Sequence, residues 1–132
     1  MSKWNELDLA RLITEILLAV EYAEADHHLG RPFQTAYQLA IALKFQHPEV
    51  FRQLGLPLGG LGSSSKVSLA QYLAREISRR IENKTLANVE GGFLCNDHLS
   101  SLQFKDGDTI IESSMTIQGE RGVSLFRMCS TH

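Results

Sequence analysis

A run of small residues ahead of a helix start is the stretch of this chain best suited to chemistry. Gly55, Gly59, Gly60 and Gly62 allow close backbone approach, Ser63, Ser64 and Ser65 supply hydroxyl donors, and Lys66 supplies a positive charge. Ser68, with Gln71 three residues on, forms a capping-box pattern, so the run delivers the chain to a helix N-terminus. The first N–H groups of a helix lack intrahelical partners and its dipole is positive there, which attracts anions. A phosphate above Ser68 is one expectation, and a solvent-exposed connector is the other. Beyond Ser68, Leu69, Leu73, Ile77 and Ile81 recur every fourth position as a buried stripe. The opposite face carries Arg75, Arg79 and Arg80, with Glu76 and Glu82 among them. The candidate nucleic-acid or anion-binding set is therefore Gly60, Gly62, Ser63, Ser64, Ser65, Lys66, Arg75, Arg79 and Arg80.

Two further constellations carry weaker signals. Cys95 with His98, and Cys129 with His132, are both C-x2-H units, and zinc accepts two thiolates and two imidazoles. Such a zinc would be structural, because all four ligands come from the protein; the spacing is not that of a standard finger, so no metal is expected. His27 and His28 follow Asp26, but neighbours on a helix point about 100° apart and rarely chelate together. Glu90, Asp97, His98, Asp106 and Asp108 fall in turn regions as polar residues do in any β meander. There is no nucleophile elbow, paired metal carboxylates or ordered Ser/His/Asp pattern, so no catalysis is expected.

Residues 57–65, with Gly59, Gly60, Gly62 and three serines, resemble the glycine-serine phosphate loop of the GHMP small-molecule kinases. That resemblance implies nucleotide binding. It covers nine residues, and the partner motifs of those kinases do not occur in this sequence. The stretch does not follow the P-loop pattern either, since Lys66 stands four positions after Gly62 and precedes Val67.

The elements that must position these residues follow from periodicity. A chain of 132 residues, 43% hydrophobic, is read as a single α+β domain over residues 1–132 with an ordinary core. Its helical part spans about 4–83 and its β part about 86–129. A long helix starts at Leu7 and runs to about His27, its broad apolar stripe suiting either a central position or a homodimer contact. Gly30 and Pro32 end it. A second helix spans about 34–46, and Pro48 opens a short third closed by Gly55. After residue 86 the period changes to two. Asp106 and Gly107 predict a hairpin between 99–104 and 109–117, Val123 and Leu125 belong to a third strand, and residues 87–95 could add a fourth.

Three or four helices followed by an antiparallel meander resemble winged-helix order, with 34–46, 48–54 and 68–83 as the trihelical unit and 99–117 as the wing. The 55–67 loop is much longer than a helix-turn-helix turn. With a net charge of −2, any nucleic-acid surface must be local. The absence of an apolar leader or spanning run predicts a cytoplasmic protein with no membrane contact. The expected function is therefore non-catalytic binding of double-stranded DNA, with Lys66 and the three arginines on phosphates and the Asp106–Gly107 hairpin touching the backbone or an adjacent groove. The alternative is a protein–protein module or small subunit of a larger assembly with no nucleic-acid contact. No cofactor is expected.

Overall fold

The computed structural model describes residues 2–22, 27–60, 67–114 and 122–129. Ser2 caps a short helix α1, Lys3–Glu6, by accepting from Asn5 N. Asp8 then adopts a left-handed conformation (φ 55) and starts helix α2, Leu9–Leu18, on a new axis. The helix expected from Leu7 therefore begins two residues later and is shorter. Nothing in the residues after Leu18 forbids a helix. Beyond this end, Arg31 reaches back to Leu18 O (3.5 Å) and lies over the Tyr22 ring (5.4 Å). The broad stripe of α2 is covered by the chain itself, with Leu9, Leu12, Ile13, Ile16 and Leu17 all buried and Leu18 left exposed.

Strand β1, Gln34–Thr35, precedes helix α3, Ala36–Gln46. Thr35 and Gln38 form a reciprocal capping box, which is why the helix starts after Thr35 rather than at Gln34. Helix α4, Pro48–Leu54, opens on Pro48 and closes on Gly55 at φ 66, as the sequence predicts. Helix α5, Leu69–Glu82, has Ser68 as N-cap. Leu39, Leu43, Leu73 and Ile77 are fully buried on the packed helices α3 and α5, each contributing on the order of 2 kcal/mol. The strands are β2, Val89–Phe93; β3, Gln103–Asp106; β4, Thr109–Glu112; and β5, Ser124–Met128.

The architecture is α+β, with helices mostly first and antiparallel strands after. The strands form two sheets rather than one continuous meander. β5 lies between β1 and β2, while β3 and β4 make a separate hairpin. The expected hairpin of 99–104 and 109–117 is present as β3 and β4, with shorter strands, and residues 115–117 lie outside the described residues.

The hairpin folds back onto α3. The Phe104 ring stacks on Tyr37 at 5.1 Å, Tyr37 Oη accepts from Ser114 N (3.0 Å), and Lys44 Nζ donates to Asp106 Oδ2 (2.6 Å). The Asp106 end of the hairpin is thereby tied to the side of α3. Among the described residues no helix is long and apolar enough to cross a membrane.

Candidate nucleic-acid interface

Glycine has a packing use in the segment leading to α5. Gly59 (φ 127) passes so close to the cap that a Cβ there would sit 2.9 Å from Ser68 Oγ. Gly60 (φ 104) is buried under the hairpin, where a Cβ would meet Ile111 Cγ2 at 2.6 Å and Glu112 O at 2.8 Å. This close passage brings two carbonyls onto the helix end. Leu69 N donates to Pro57 O (2.7 Å) and Ala70 N to Leu58 O (3.1 Å). Gln71 N donates to Ser68 Oγ and Ser68 N to Gln71 Oε1, each at 3.1 Å. Every donor of the first turn is thus occupied by the chain, so an anion at this end must be held by side chains rather than by open N–H groups. Gly62, Ser63, Ser64, Ser65 and Lys66 lie outside the described residues.

The three arginines of α5 have different surroundings. Arg75 is exposed and has no ion-pair partner among the described residues. Arg79 pairs with Glu76, yet its side chain stays 60% exposed. Arg80 is drawn inward: its guanidinium lies 4.3 Å from the Trp4 ring centroid, and Nη1 reaches Glu76 Oε2 (3.3 Å) and Glu76 O (3.4 Å). Glu76 is 7% exposed, so the two guanidiniums neutralise a carboxylate that would otherwise be costly to bury. Tyr72, one turn before Glu76, has its phenol pushed up by burial and then by that carboxylate. The solvent face of α5 is therefore Gln71, Arg75, Ser78, Arg79 and Glu82, with Arg80 belonging to the scaffold. Gln71 and Ser78 join the candidate set through helical spacing, which the sequence already displays.

The two C-x2-H units are kept apart by the β2–β5 register. Cys129 N donates to Asn88 O (2.7 Å), while Cys95 lies beyond the other end of β2, seven residues or roughly 23 Å along the ladder. Among the described residues no group of three or more His, Cys, Asp or Glu could hold a metal ion, and His132 lies outside them. Cys95 and His98 are exposed; burial, followed by the charge of Glu90, pushes the Cys129 thiol up. Two of the turn-region acids are engaged elsewhere, Glu90 with Arg127 (2.5 Å) and Asp106 with Lys44. His27 and His28 are not on a helix and stack at 4.2 Å between ring centroids; Asp26 lies outside the described residues. No family model, curated protein or solved structure matches this chain.

Proposed function

We propose that the chain is a small non-catalytic binding protein that contacts double-stranded DNA through the exposed face of α5. Arg75 and Arg79 lie against phosphates, Gln71 and Ser78 against phosphate or sugar, and Lys66 with Ser63, Ser64 and Ser65 extends the contact from the segment before the helix. The observation carrying this reading is the separation of roles on α5: one face is buried, one arginine is spent on the scaffold, and the remaining two stand on an open face. Helices α3, α4 and α5 have the order of a trihelical DNA-binding unit, in which a helix is presented to the groove. That comparison is one of arrangement, and the charge comes from the arginines. The link from α4, which ends at Leu54, to α5, which starts at Leu69, is longer than a helix-turn-helix turn. Because net charge is −2, the interaction is local and salt-sensitive rather than driven by a wide positive field.

The test is fluorescence anisotropy on random-sequence duplex at about 50 and 200 mM salt, where phosphate-dominated affinity falls steeply. A second reading, a protein-interaction module, is favoured by the exposed apolar side chains of Phe45, Phe93 and Ile110. Absence of binding at the lower salt would favour it.

A further inference from the structure

We infer that a cleft at the C-terminal end of α5 is a seat for one phosphate group, held by Arg79, Asn83 and Asn5. The seat itself does not depend on the DNA reading; that a DNA backbone phosphate fills it rests on that reading. The cleft measures about 360 Å³ and lies between α5, the turn after it and the first two helices. Trp4, Asn5, Arg79, Arg80, Asn83 and Thr85 line it among others, and no carboxylate among the described residues does. Arg79 and Asn83 stand four residues apart and Arg80 and Asn83 three apart, so the end of α5 brings them to one side. Trp4 is 2% exposed and its ring lies 4.3 Å from the Arg80 guanidinium, which fixes α1 against this end and sets the exposed Asn5 at the cleft.

The bonds already made decide which atoms a ligand would meet. Asn83 Oδ1 accepts from Thr85 N (3.1 Å) and Thr85 Oγ1 (2.7 Å), which leaves Nδ2, a donor, as the free end of that amide. Arg79 spends Nη2 on Glu76, while its Nε and Nη1 make no other bond among the described residues. The Asn5 side-chain amide has no partner among them either. Arg80 is the floor: its bonds go to Glu76 and its guanidinium to the Trp4 ring. Glu76 lies behind both arginines and offsets one of their two charges, so the cleft stays positive.

A helix C-terminus ordinarily repels an anion, because its last carbonyls carry partial negative charge. Here they are covered. Arg79 O accepts from Asn83 N (2.9 Å), Ile81 O from Lys84 N (3.2 Å) and Arg80 O from Leu86 N (3.1 Å). The remaining donors come from α1, from α5 and from the turn after it, which suits the several oxygens of a phosphate better than the planar pair of a carboxylate, and the Arg79 bond is charge-assisted.

The test is NMR of the isotope-labelled full chain titrated with inorganic phosphate, with ionic strength held constant by chloride. The side-chain amide signals of Asn5 and Asn83 and the Arg79 Nε–H signal are expected to shift together and to saturate at millimolar phosphate, whereas chloride alone leaves them in place. Asn83→Asp keeps the oxygen that holds Thr85 but turns the free donor into an acceptor, so the fold by circular dichroism stays native while the shifts at Asn5 and Arg79 vanish. Signals that do not respond to phosphate, or that respond equally in Asn83→Asp, would overturn the inference whether or not the protein binds DNA. Duplex anisotropy then separates the sources of the phosphate. If a backbone phosphate fills the seat, Asn83→Asp weakens duplex binding about tenfold, the worth of one charge-assisted hydrogen bond, while Gln103→Glu, the same charge change on the hairpin, stays within about twofold. Phosphate-dependent shifts with no duplex binding, or with duplex affinity indifferent to Asn83→Asp, keep the seat and assign it to a free phosphate ester; with no duplex binding it is the DNA reading alone that fails.

Discussion

Arg80 and Arg75 stand five residues apart on α5, and their surroundings predict opposite consequences of truncation. Arg80→Ala removes a guanidinium lying over Trp4, a contact of about 1 kcal/mol at a partly buried site. It also removes one of two cations beside a carboxylate that is 7% exposed, where a charge-assisted hydrogen bond is typically worth about 1.5–3 kcal/mol. Arg79 still pairs with Glu76, so the lower end applies to that second term. Together the loss is about 2–3 kcal/mol, or roughly 8–12 °C in Tm at about 4 °C per kcal/mol for a chain of this size. Arg75→Ala removes an exposed side chain and should stay within about 0.5 kcal/mol of wild type.

Urea denaturation followed by circular dichroism gives both values, and salt-dependent DNA titration of the same proteins gives the second comparison. Arg75→Ala should lower the slope of log affinity against log salt by about one, and Arg80→Ala should leave the slope unchanged. The double variant Glu76→Ala with Arg80→Ala should lose less than the sum of its parts, because the buried charge leaves with its partner. An Arg80→Ala variant within about 0.5 kcal/mol of wild type would refute the assignment of that residue to the scaffold.

Three further outcomes test other parts of the structure. Tyr37→Phe keeps the stack on Phe104 but removes the bonds to Ser114, costing about 1–1.5 kcal/mol and speeding amide exchange at Ser114; unchanged exchange would contradict the tie between α3 and the hairpin. Gly60→Ala forces a side chain into φ 104 and against Ile111 and Glu112 O, so the denaturation midpoint should fall by the equivalent of at least about 2 kcal/mol, and a wild-type midpoint would mean that the segment is not held there. The Tyr72 phenol is raised by burial and by Glu76, so the folded state holds its proton more tightly than the unfolded chain. Its stabilising contribution is complete below the unfolded value of about 10 and is lost as pH climbs through the higher folded value. Tyr72→Phe should flatten that alkaline decline in denaturation midpoint, and an equally steep decline in the variant would assign it to other groups.

Local signals in the sequence proved readable wherever backbone chemistry alone decides. Ser68 with Gln71, Pro48 with Gly55, and Asp106 with Gly107 placed the α5 start, both ends of α4 and the hairpin turn. Thr35 with Gln38 carries the same capping signal as Ser68 with Gln71 and marks the true start of α3, but the apolar run around it drew the expected boundary to Gln34. The break at Asp8 depends on a left-handed residue, which local periodicity does not display, and nothing in the apolar spacing marks the end at Leu18. Strand pairing was likewise out of reach: β5 inserts between β1 and β2, elements separated from it by about ninety and thirty residues. On α5 the arginines were legible as a group. Their division between Trp4, Glu76 and open solvent needed α1 in place.

The most direct measurement is the affinity of wild type and of Arg75→Ala with Arg79→Ala for random-sequence duplex, followed by anisotropy from about 50 to 200 mM salt. Wild type should bind at the lower salt with a steep negative slope. The double variant, folded to the same stability within about 1 kcal/mol, should bind more weakly on every sequence with a slope shallower by about two. No binding by wild type at the lower salt, or an unchanged slope in the double variant, would contradict the assignment of the α5 face to DNA.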